Sequence, residues 1–221
     1  MQINKYIDHT LLKATATESE IIQLCREAKE HAFYAVCVNG SYVKLAKEEL
    51  QNTNVKIAAV IGFPLGAMTT EVKIFEAQNC IENGASEIDM VINIGKLLDG
   101  EIAYVENEIR LIKEAIGENV LKVIFENCYL SKEQIKEVSQ LAVNAGADFI
   151  KTATGFGTSG ATLEDIQIMK GVVSGKAQIK AAGGIRDIET AVKYIKMGVT
   201  RLGTSSGVSL VTKGVSAKNK Y

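Results

Sequence analysis

The chain has 221 residues, of which 47% are hydrophobic and 23% are charged, and its formal net charge is −1. This is the composition of a soluble globular protein, and the near-neutral charge argues against nucleic acid or an acidic membrane surface as a partner. No stretch approaches the roughly 18 apolar residues of a membrane span, and the start of the chain lacks the apolar core of a signal peptide. The 4 cysteines have no C-x-x-C spacing, and 2 histidines are too few for a His-rich metal site. We therefore expect a cytoplasmic protein with reduced thiols.

Short apolar segments alternate with helical segments along the chain and predict a repeated strand–helix pattern. Capping boxes at Thr17 and Ser131 mark the starts of two helices, and Gly117 ends another. Thr162 and Asp187 are candidate caps for two more. Predicted strands cover residues 6–9, 32–38, 55–61, 87–93, 120–126, 147–151, 178–182 and 200–203. Predicted helices start at residues 17, 41, 69 or 70, 99, 131, 162, 187 and 205 or 206.

Eight strand–helix pairs in a chain of this length predict a closed (β/α)8 TIM barrel near the compact end of its size range. A weak internal repeat supports this interpretation, because residues 83–85, 145–147 and 197–199 each end a helix with glycine and begin a strand. No linker-like stretch interrupts the series, so we expect residues 1–221 to form a single domain. A doubly wound open sheet is the rival fold, but the G-x-G-x-x-G motif after the first strand is missing.

Two lysines, Lys151 and Lys180, end neighbouring predicted strands, which would place them roughly 5 Å apart in the sheet direction. Two ammonium groups so close repel each other, and this favours the neutral form of one of them. A free lysine has a pKa near 10.4, so attack on a carbonyl near neutral pH requires a decrease of about three units. The pair therefore predicts a Schiff-base lysine. The competing interpretation is two solvated lysines that extend to water from the strand ends.

Asp89 lies among apolar residues of the fourth strand, where it is either a salt-bridged carboxylate or a general acid/base acting through water. The glycine-rich segments 180–186 and 202–207 end strands seven and eight, where barrels commonly bind phosphate through backbone N–H groups. Thr152, Thr154 and Gly155 are candidates for the wall of the same pocket. Together these residues predict a site for a small phosphorylated carbonyl compound.

Several motifs resemble those of the deoxyribose-phosphate aldolase family, in the same order and over essentially the whole chain. They are Lys-Thr-Ala-Thr-Gly at 151–155, Lys-Ala-Ala-Gly-Gly-Ile-Arg at 180–186, Glu-Ile-Asp-Met-Val-Ile-Asn at 87–93, Ile-Gly-Phe-Pro-Leu-Gly at 61–66, Ile-Asp-His-Thr-Leu-Leu at 7–12, Val-Cys-Val-Asn at 36–39 and Gly-Thr-Ser-Ser-Gly at 203–207. The resemblance implies a metal-independent class I aldolase on a TIM barrel, without a cofactor. It would cleave 2-deoxy-D-ribose 5-phosphate reversibly into acetaldehyde and D-glyceraldehyde 3-phosphate, in deoxyribonucleoside catabolism.

The resemblance also assigns roles to residues. Lys151 would form the Schiff base, Lys180 would lower its pKa, and Asp89 would act as acid/base through water. A mobile tail at about residues 215–221 would end in Tyr221, which assists proton transfer in relatives. The remaining site residues would be the phosphate ligands Gly183, Gly184, Gly203, Ser205 and Ser206 and the pocket residues Asp8, Thr10 and Cys37.

One departure from the family pattern is Glu126-Asn127-Cys128, where relatives more often have Glu-Thr, and it concerns substrate tolerance at the edge of the pocket. Two other functions remain open from the residues: a Schiff-base aldolase for another phosphorylated sugar, and a barrel that binds a sugar phosphate without catalysis. The sequence leaves the oligomeric state open, with a homodimer as one candidate.

Overall fold

Eight parallel strands close into a barrel in the computed structural model, which describes residues 1–216. Each strand pairs with the next one along the chain, and the eighth pairs with the first. The predicted (β/α)8 fold is therefore confirmed. The strands are β1 Ile7–Leu11, β2 Ala35–Asn39, β3 Lys56–Ile61, β4 Glu87–Val91, β5 Val120–Ile124, β6 Phe149–Lys151, β7 Gln178–Ala182 and β8 Arg201–Thr204.

Helices surround the barrel and cover the outward faces of the strands with a continuous apolar core. None of the helices within residues 1–216 is long and apolar enough to cross a membrane. The helices are α1 Glu18–Glu30, α2 Val43–Glu49, α3 Thr70–Glu82, α4 Ile94–Leu98, α5 Ile102–Ile116, α6 Lys132–Asn144, α7 Leu163–Val173, α8 Ile188–Lys196 and α9 Gly207–Ser216.

The predicted helix caps are present. The Thr17 hydroxyl accepts the N–H of Glu20, whose carboxylate accepts the N–H of Thr17, and Ser131 forms the same reciprocal box with Gln134. Asp187 and Thr162 cap α8 and α7 through their side chains. Local side-chain chemistry therefore determines where these four helices begin.

Many boundaries differ from the sequence-based predictions by one to three residues, and two of these differences have a clear local cause. The second strand begins at Ala35 rather than Ala32, because Ala32 has a φ of 49° and the Phe33 N–H bonds back to Ala28, which forms the terminal turn of α1. The predicted helix at 99–116 is preceded by the short helix α4, because the Asn93 side chain accepts the N–H of Lys96 and starts a helix directly after β4.

The predicted tail starts near residue 215, but α9 continues to Ser216. Tyr221 and the rest of that tail lie outside the described residues, so their role stays a prediction, as does the single-domain assignment for residues 1–221.

Candidate active site

The two strand-end lysines meet at one carboxylate. Lys151 pairs in register with Lys180 across β6 and β7, as the sequence spacing predicts. The Nζ atoms of both lysines lie 2.8 Å from the same oxygen, Oδ2 of Asp89. Two nitrogens bound to a single oxygen lie within about 6 Å of each other, well inside the range of strong mutual repulsion between buried charges. The amines therefore face the same interior and influence each other directly.

The two lysines differ in their remaining partners. Burial opposes the charge of Lys180, but the carboxylates of Asp8, at 2.5 Å, and Asp89 outweigh burial and raise the pKa of this lysine. Burial lowers the pKa of Lys151, and the attraction of Asp89 and the repulsion of Lys180 act in opposite directions on it. Lys180 is thus the charged member of the pair, and Lys151 is the member closer to the neutral amine.

Gly203 explains why Lys180 fits beside β8. A Cβ atom at position 203 would lie 3.1 Å from Cε of Lys180 and 3.1 Å from the Ala182 side chain. The glycine therefore leaves space for the buried lysine stem, in addition to its expected place near the phosphate loop.

Asp89 is wholly buried, and both of its carboxylate oxygens accept hydrogen bonds from lysine side chains. Its Oδ1 atom lies 2.6 Å from Nζ of Lys122, while Oδ2 binds Lys151 and Lys180. Burial by itself raises the pKa of this carboxyl, but the three ammonium groups outweigh burial and hold its pKa well below its usual range. Asp89 is therefore an ionised carboxylate that fixes the positions of the lysines, and its acid/base role stays a prediction.

A second layer of ions lies below Asp89, towards the amino ends of the strands. Lys122 lies 2.6 Å from Glu87, and Arg201 binds Glu87 at 2.9 and 3.2 Å and Asp8 at 2.8 Å. The Arg201 guanidinium also stacks on the ring of Tyr34, with 3.5 Å to the ring centroid. Sequence analysis missed Lys122 and Arg201 as parts of the site. The sequence did contain an indication, because each of the two residues is the single charged side chain in a short strand.

A cavity of about 300 Å³ opens above Lys151 at the carboxyl ends of the strands. Its wall is formed by the loops after β1, β6, β7 and β8, and it also contains two cations, Lys13 and Arg186, that sequence analysis did not assign to the site. The predicted site residues that line the cavity are Thr10, Lys151, Thr154, Gly155, Gly183, Gly184, Gly203, Ser205 and Ser206.

Three predicted pocket residues lie outside the cavity wall, and their part in the site stays a prediction. The Thr152 hydroxyl bonds to the backbone of Ala182 and links β6 to β7. Asp8 lies deeper, between Lys180 and Arg201. Cys37 is wholly buried beside Leu12 in a small apolar cluster inside the barrel, and burial raises the pKa of its thiol.

The segment that departs from the family pattern supports the loop after Lys151. Glu126 is buried in the left-handed region, with φ 56°, and its carboxylate accepts the hydroxyl and the N–H of Thr154. Burial raises the pKa of Glu126. A Cβ atom at Gly157 would lie 2.6 Å from Sγ of Cys128, so the departure packs closely against the loop that forms the cavity edge.

A closed (β/α)8 barrel that presents a buried amine of lowered pKa to a cavity at the carboxyl ends of its strands is the arrangement of a class I aldolase. Residues 3–211 match the family described as DeoC/LacD family aldolase, and the chain belongs to this family. The deoxyribose-phosphate aldolase of Streptococcus uberis is 51% identical over 100% of both chains, and that of Deinococcus radiodurans is 52% identical over 97% of both. A solved deoxyribose phosphate aldolase from Aeropyrum pernix, described as tetrameric, superposes with a TM-score of 0.88 at 32% identity and covers 97% of this chain and 92% of its own.

Proposed function

We propose that this protein reversibly cleaves 2-deoxy-D-ribose 5-phosphate into acetaldehyde and D-glyceraldehyde 3-phosphate through a Schiff base on Lys151. The family and the activity named for relatives at 51 and 52% identity support this assignment. The observation that carries it is the Lys151 amine, which lies at the floor of the cavity with a lowered pKa beside a charged lysine. The reaction belongs to deoxyribonucleoside catabolism, which we place in the cytoplasm.

The first step is attack of the neutral Lys151 amine on the aldehyde carbon of the open-chain sugar, followed by loss of water to give an iminium ion. The iminium withdraws electrons from the adjacent carbon–carbon bond. Removal of the proton from the C3 hydroxyl then breaks the C2–C3 bond and releases D-glyceraldehyde 3-phosphate, with the electron pair held as an enamine on Lys151. Protonation at C2 and hydrolysis of the imine release acetaldehyde and restore the amine.

The proton taken from the C3 hydroxyl is returned to C2, so one relay serves both steps. We assign this relay to Asp89 together with Lys180, acting through water. The carboxylate is ionised and contacts both lysines, and its low pKa makes it a weak base alone. Contact with a charged ammonium supplies a nearby proton donor, which a lone carboxylate lacks. Tyr221 is the further candidate for proton transfer.

The phosphate group is assigned to the loops after β7 and β8. Gly183 has a φ of 87° and passes so close to Gly160 that a Cβ atom would lie 2.7 Å from the Gly160 Cα. Gly183, Gly184, Ser205 and Ser206 line the cavity, and α9 begins directly after this loop, so the positive end of a helix dipole lies beside the cavity wall. Arg186 and Lys13 lie in the same wall and add positive charge. An anion is therefore favoured at the end of the cavity away from Lys151.

Borohydride reduction in the presence of acetaldehyde tests the assignment directly, because it converts an imine into a stable amine. We expect an N-ethyl group on Lys151, which replaces one hydrogen and increases the mass of its peptide by C2H4. The matched control is Lys151→Leu, which retains Lys180 and should remain unlabelled. Labelling of Lys180 in the wild-type protein would overturn the assignment.

We propose that no metal ion takes part. The carboxylates that meet inside the barrel are bound by cations of the chain itself, which supports an amine-based mechanism. Turnover should be unchanged after dialysis against EDTA, and a loss that added divalent metal restores would contradict this proposal.

We also propose that the protein forms a homodimer. Val72 and Phe75, one turn apart on α3, are exposed apolar side chains and support self-association. One chain has a mass of 23.9 kDa, and multi-angle light scattering should give twice this value. The mass of a monomer at micromolar concentration would refute this proposal.

A further inference from the structure

Seven ionisable side chains inside the barrel form one connected set of ion pairs, which we call the ion cluster. All are buried. Its members are the acids Asp8, Glu87 and Asp89 and the bases Lys122, Lys151, Lys180 and Arg201. Three acids thus face four bases.

This imbalance has a consequence for protonation. Removing ions from water costs several kcal/mol each, and only opposite charges in the same environment recover that cost. Fully ionised, the ion cluster would carry an uncompensated positive charge in the barrel. It is neutral when one of the four bases has lost its proton. Arg201 remains charged because a guanidinium is not deprotonated in proteins, so the neutral base is a lysine.

Geometry selects which lysine this is. Lys122 lies 2.6 Å from both Glu87 and Asp89, and Lys180 lies 2.5 and 2.8 Å from Asp8 and Asp89. Within the side chains that the structure describes, Lys151 reaches one carboxylate, Asp89, through an oxygen that it shares with Lys180. Loss of a proton is therefore least costly at Lys151.

We propose that Lys122 is a positioning residue whose charge, counted against the three buried acids, makes Lys151 the uncharged base of the ion cluster. This inference rests on the proposed function and gives the lowered basicity of the nucleophile a second source besides its neighbour Lys180. Lys122 does not line the cavity, and it acts through Asp89 and Glu87.

Two other ionisable groups lie near Lys151, and neither forms an ion pair with a member of the ion cluster. Cys37, from β2, has a thiol whose pKa is raised by burial, so it is neutral. Glu126, from the end of β5, has a pKa raised by burial, and its carboxylate binds Thr154 rather than a member of the ion cluster. The pKa directions inside the ion cluster agree with the count: burial lowers the pKa of Lys151, whereas for Lys122 the attraction of Asp89 and Glu87 outweighs burial and raises it.

The experiment compares variants that remove one buried acid, one buried base or both. The measured quantity is the position of the acidic limb in the pH profile of kcat/KM, which reports the pKa of the basic group in the free enzyme. Lys122→Met leaves three acids with three bases, so all remaining bases should be protonated and the limb should move up by about one pH unit or more. This corresponds to a loss of about tenfold or more at a pH below the limb. Asp89 and Glu87 each keep another cation in this variant.

Glu87→Gln has the opposite charge effect and should move the limb down, because two acids then face four bases. The double variant should return the limb to within about half a pH unit of the wild type, since it again has one base in excess. A merely structural role would instead lower activity in both single variants without opposite displacements of the limb. Lys73→Met, which removes another wholly buried lysine outside the barrel interior, is the matched control and should leave the limb in place.

The inference would be overturned if the acidic limb moved in the same direction in both single variants, or if it moved in neither. If Lys122→Met does not fold by circular dichroism, the Glu87→Gln variant still tests the sign, because an upward shift or no shift contradicts the charge count. The wild-type borohydride adduct separates this inference from the proposed function. Its absence from Lys151 refutes the function, whereas its presence with unmoved limbs refutes this inference alone.

Discussion

Two regions of the molecule bury lysines completely, and they differ in how the charges are balanced. Between α3 and α5, Lys73 and Glu108 form a one-to-one pair with 2.8 Å between Nζ and Oε1. The Val91 carbonyl accepts a further hydrogen bond from Lys73, and the Asn93 N–H donates one to Glu108. Inside the barrel, four bases share three acids below an open cavity.

The comparison shows that burial alone does not identify a catalytic lysine. Burial lowers the pKa of Lys73 just as it lowers the pKa of Lys151. Lys73, however, has a carboxylate of its own and does not line the cavity, whereas Lys151 shares its carboxylate and forms the cavity floor. An excess base and access to a ligand distinguish the reactive lysine from the structural one.

The largest expected effect is that of removing the amine at the cavity floor. Lys151→Leu should lower kcat/KM for 2-deoxy-D-ribose 5-phosphate by about 10⁴-fold or more, because it removes the amine that forms the imine at the cavity floor. A coupled assay for D-glyceraldehyde 3-phosphate measures this. Undiminished turnover, with a normal circular dichroism spectrum, would show that Lys151 is as structural as Lys73.

The second effect concerns the carboxylate that both lysines share. Asp89→Asn should lower kcat by about 10³-fold, because the amide keeps the shape of the side chain but removes the charge that holds Lys180 protonated and supports proton transfer. Stopped enzyme assays at several pH values measure the loss. The fold itself should persist, and a variant that unfolds would instead give Asp89 a mainly structural role, like that of Glu108.

These contrasts show what the sequence could and could not predict. The barrel, the caps at Thr17 and Ser131, and the neighbouring positions of Lys151 and Lys180 follow from local patterns: hydrophobic periodicity, capping chemistry and strand order. Lys122 and Arg201 belong to the ion cluster through contacts with strands far away in the chain. Strand order alone does not give the stagger of a barrel, so it did not reveal which interior side chains meet.

The sequence also placed Thr152 in the pocket, because it directly follows the strand that ends in Lys151. For Thr152 the structure shows that side-chain direction matters as much as height, since its hydroxyl bonds to the backbone of β7. Alternation along a strand of three to five residues leaves the facing of its last residue undetermined without the register of its neighbours.

A third prediction concerns stability rather than activity. Lys73→Met should lower the free energy of unfolding by about 3 kcal/mol, because it leaves the buried carboxylate of Glu108 without its cation. Urea denaturation measures the change. The double variant Lys73→Met/Glu108→Leu should recover part of the loss, and a single variant as stable as the wild type would mean that the pair contributes little to the helix packing.

A fourth prediction uses the acid limit of the ion cluster. Burial raises the pKa of Asp8, but Lys180, Arg201 and Lys122 outweigh burial and lower it to about 2 from an ordinary 3.8. A carboxyl whose pKa is lowered by folding stabilises the protein above its unfolded pKa, and this contribution is lost as the pH falls from about 4 towards 2. The contribution is on the order of 2 kcal/mol. Unfolding free energies of wild type and Asp8→Asn should therefore converge over this pH window, and a constant difference would contradict the assignment.

The smallest expected effect concerns phosphate binding at the cavity rim, as distinct from the chemistry of Lys151 at the cavity floor. Ser206→Ala removes a hydroxyl from the loop before α9, in the wall assigned to the phosphate. One hydrogen bond to a charged group contributes on the order of 1.5 kcal/mol, so KM for 2-deoxy-D-ribose 5-phosphate should rise about tenfold with little change in kcat. Cleavage of unphosphorylated deoxyribose should be unaffected, because the rim hydroxyl then has no anion to bind. Thr212→Ala, which removes an exposed hydroxyl farther along the same helix, is the matched control. A lower kcat with both sugars would place Ser206 in the chemistry of Lys151 rather than in phosphate binding.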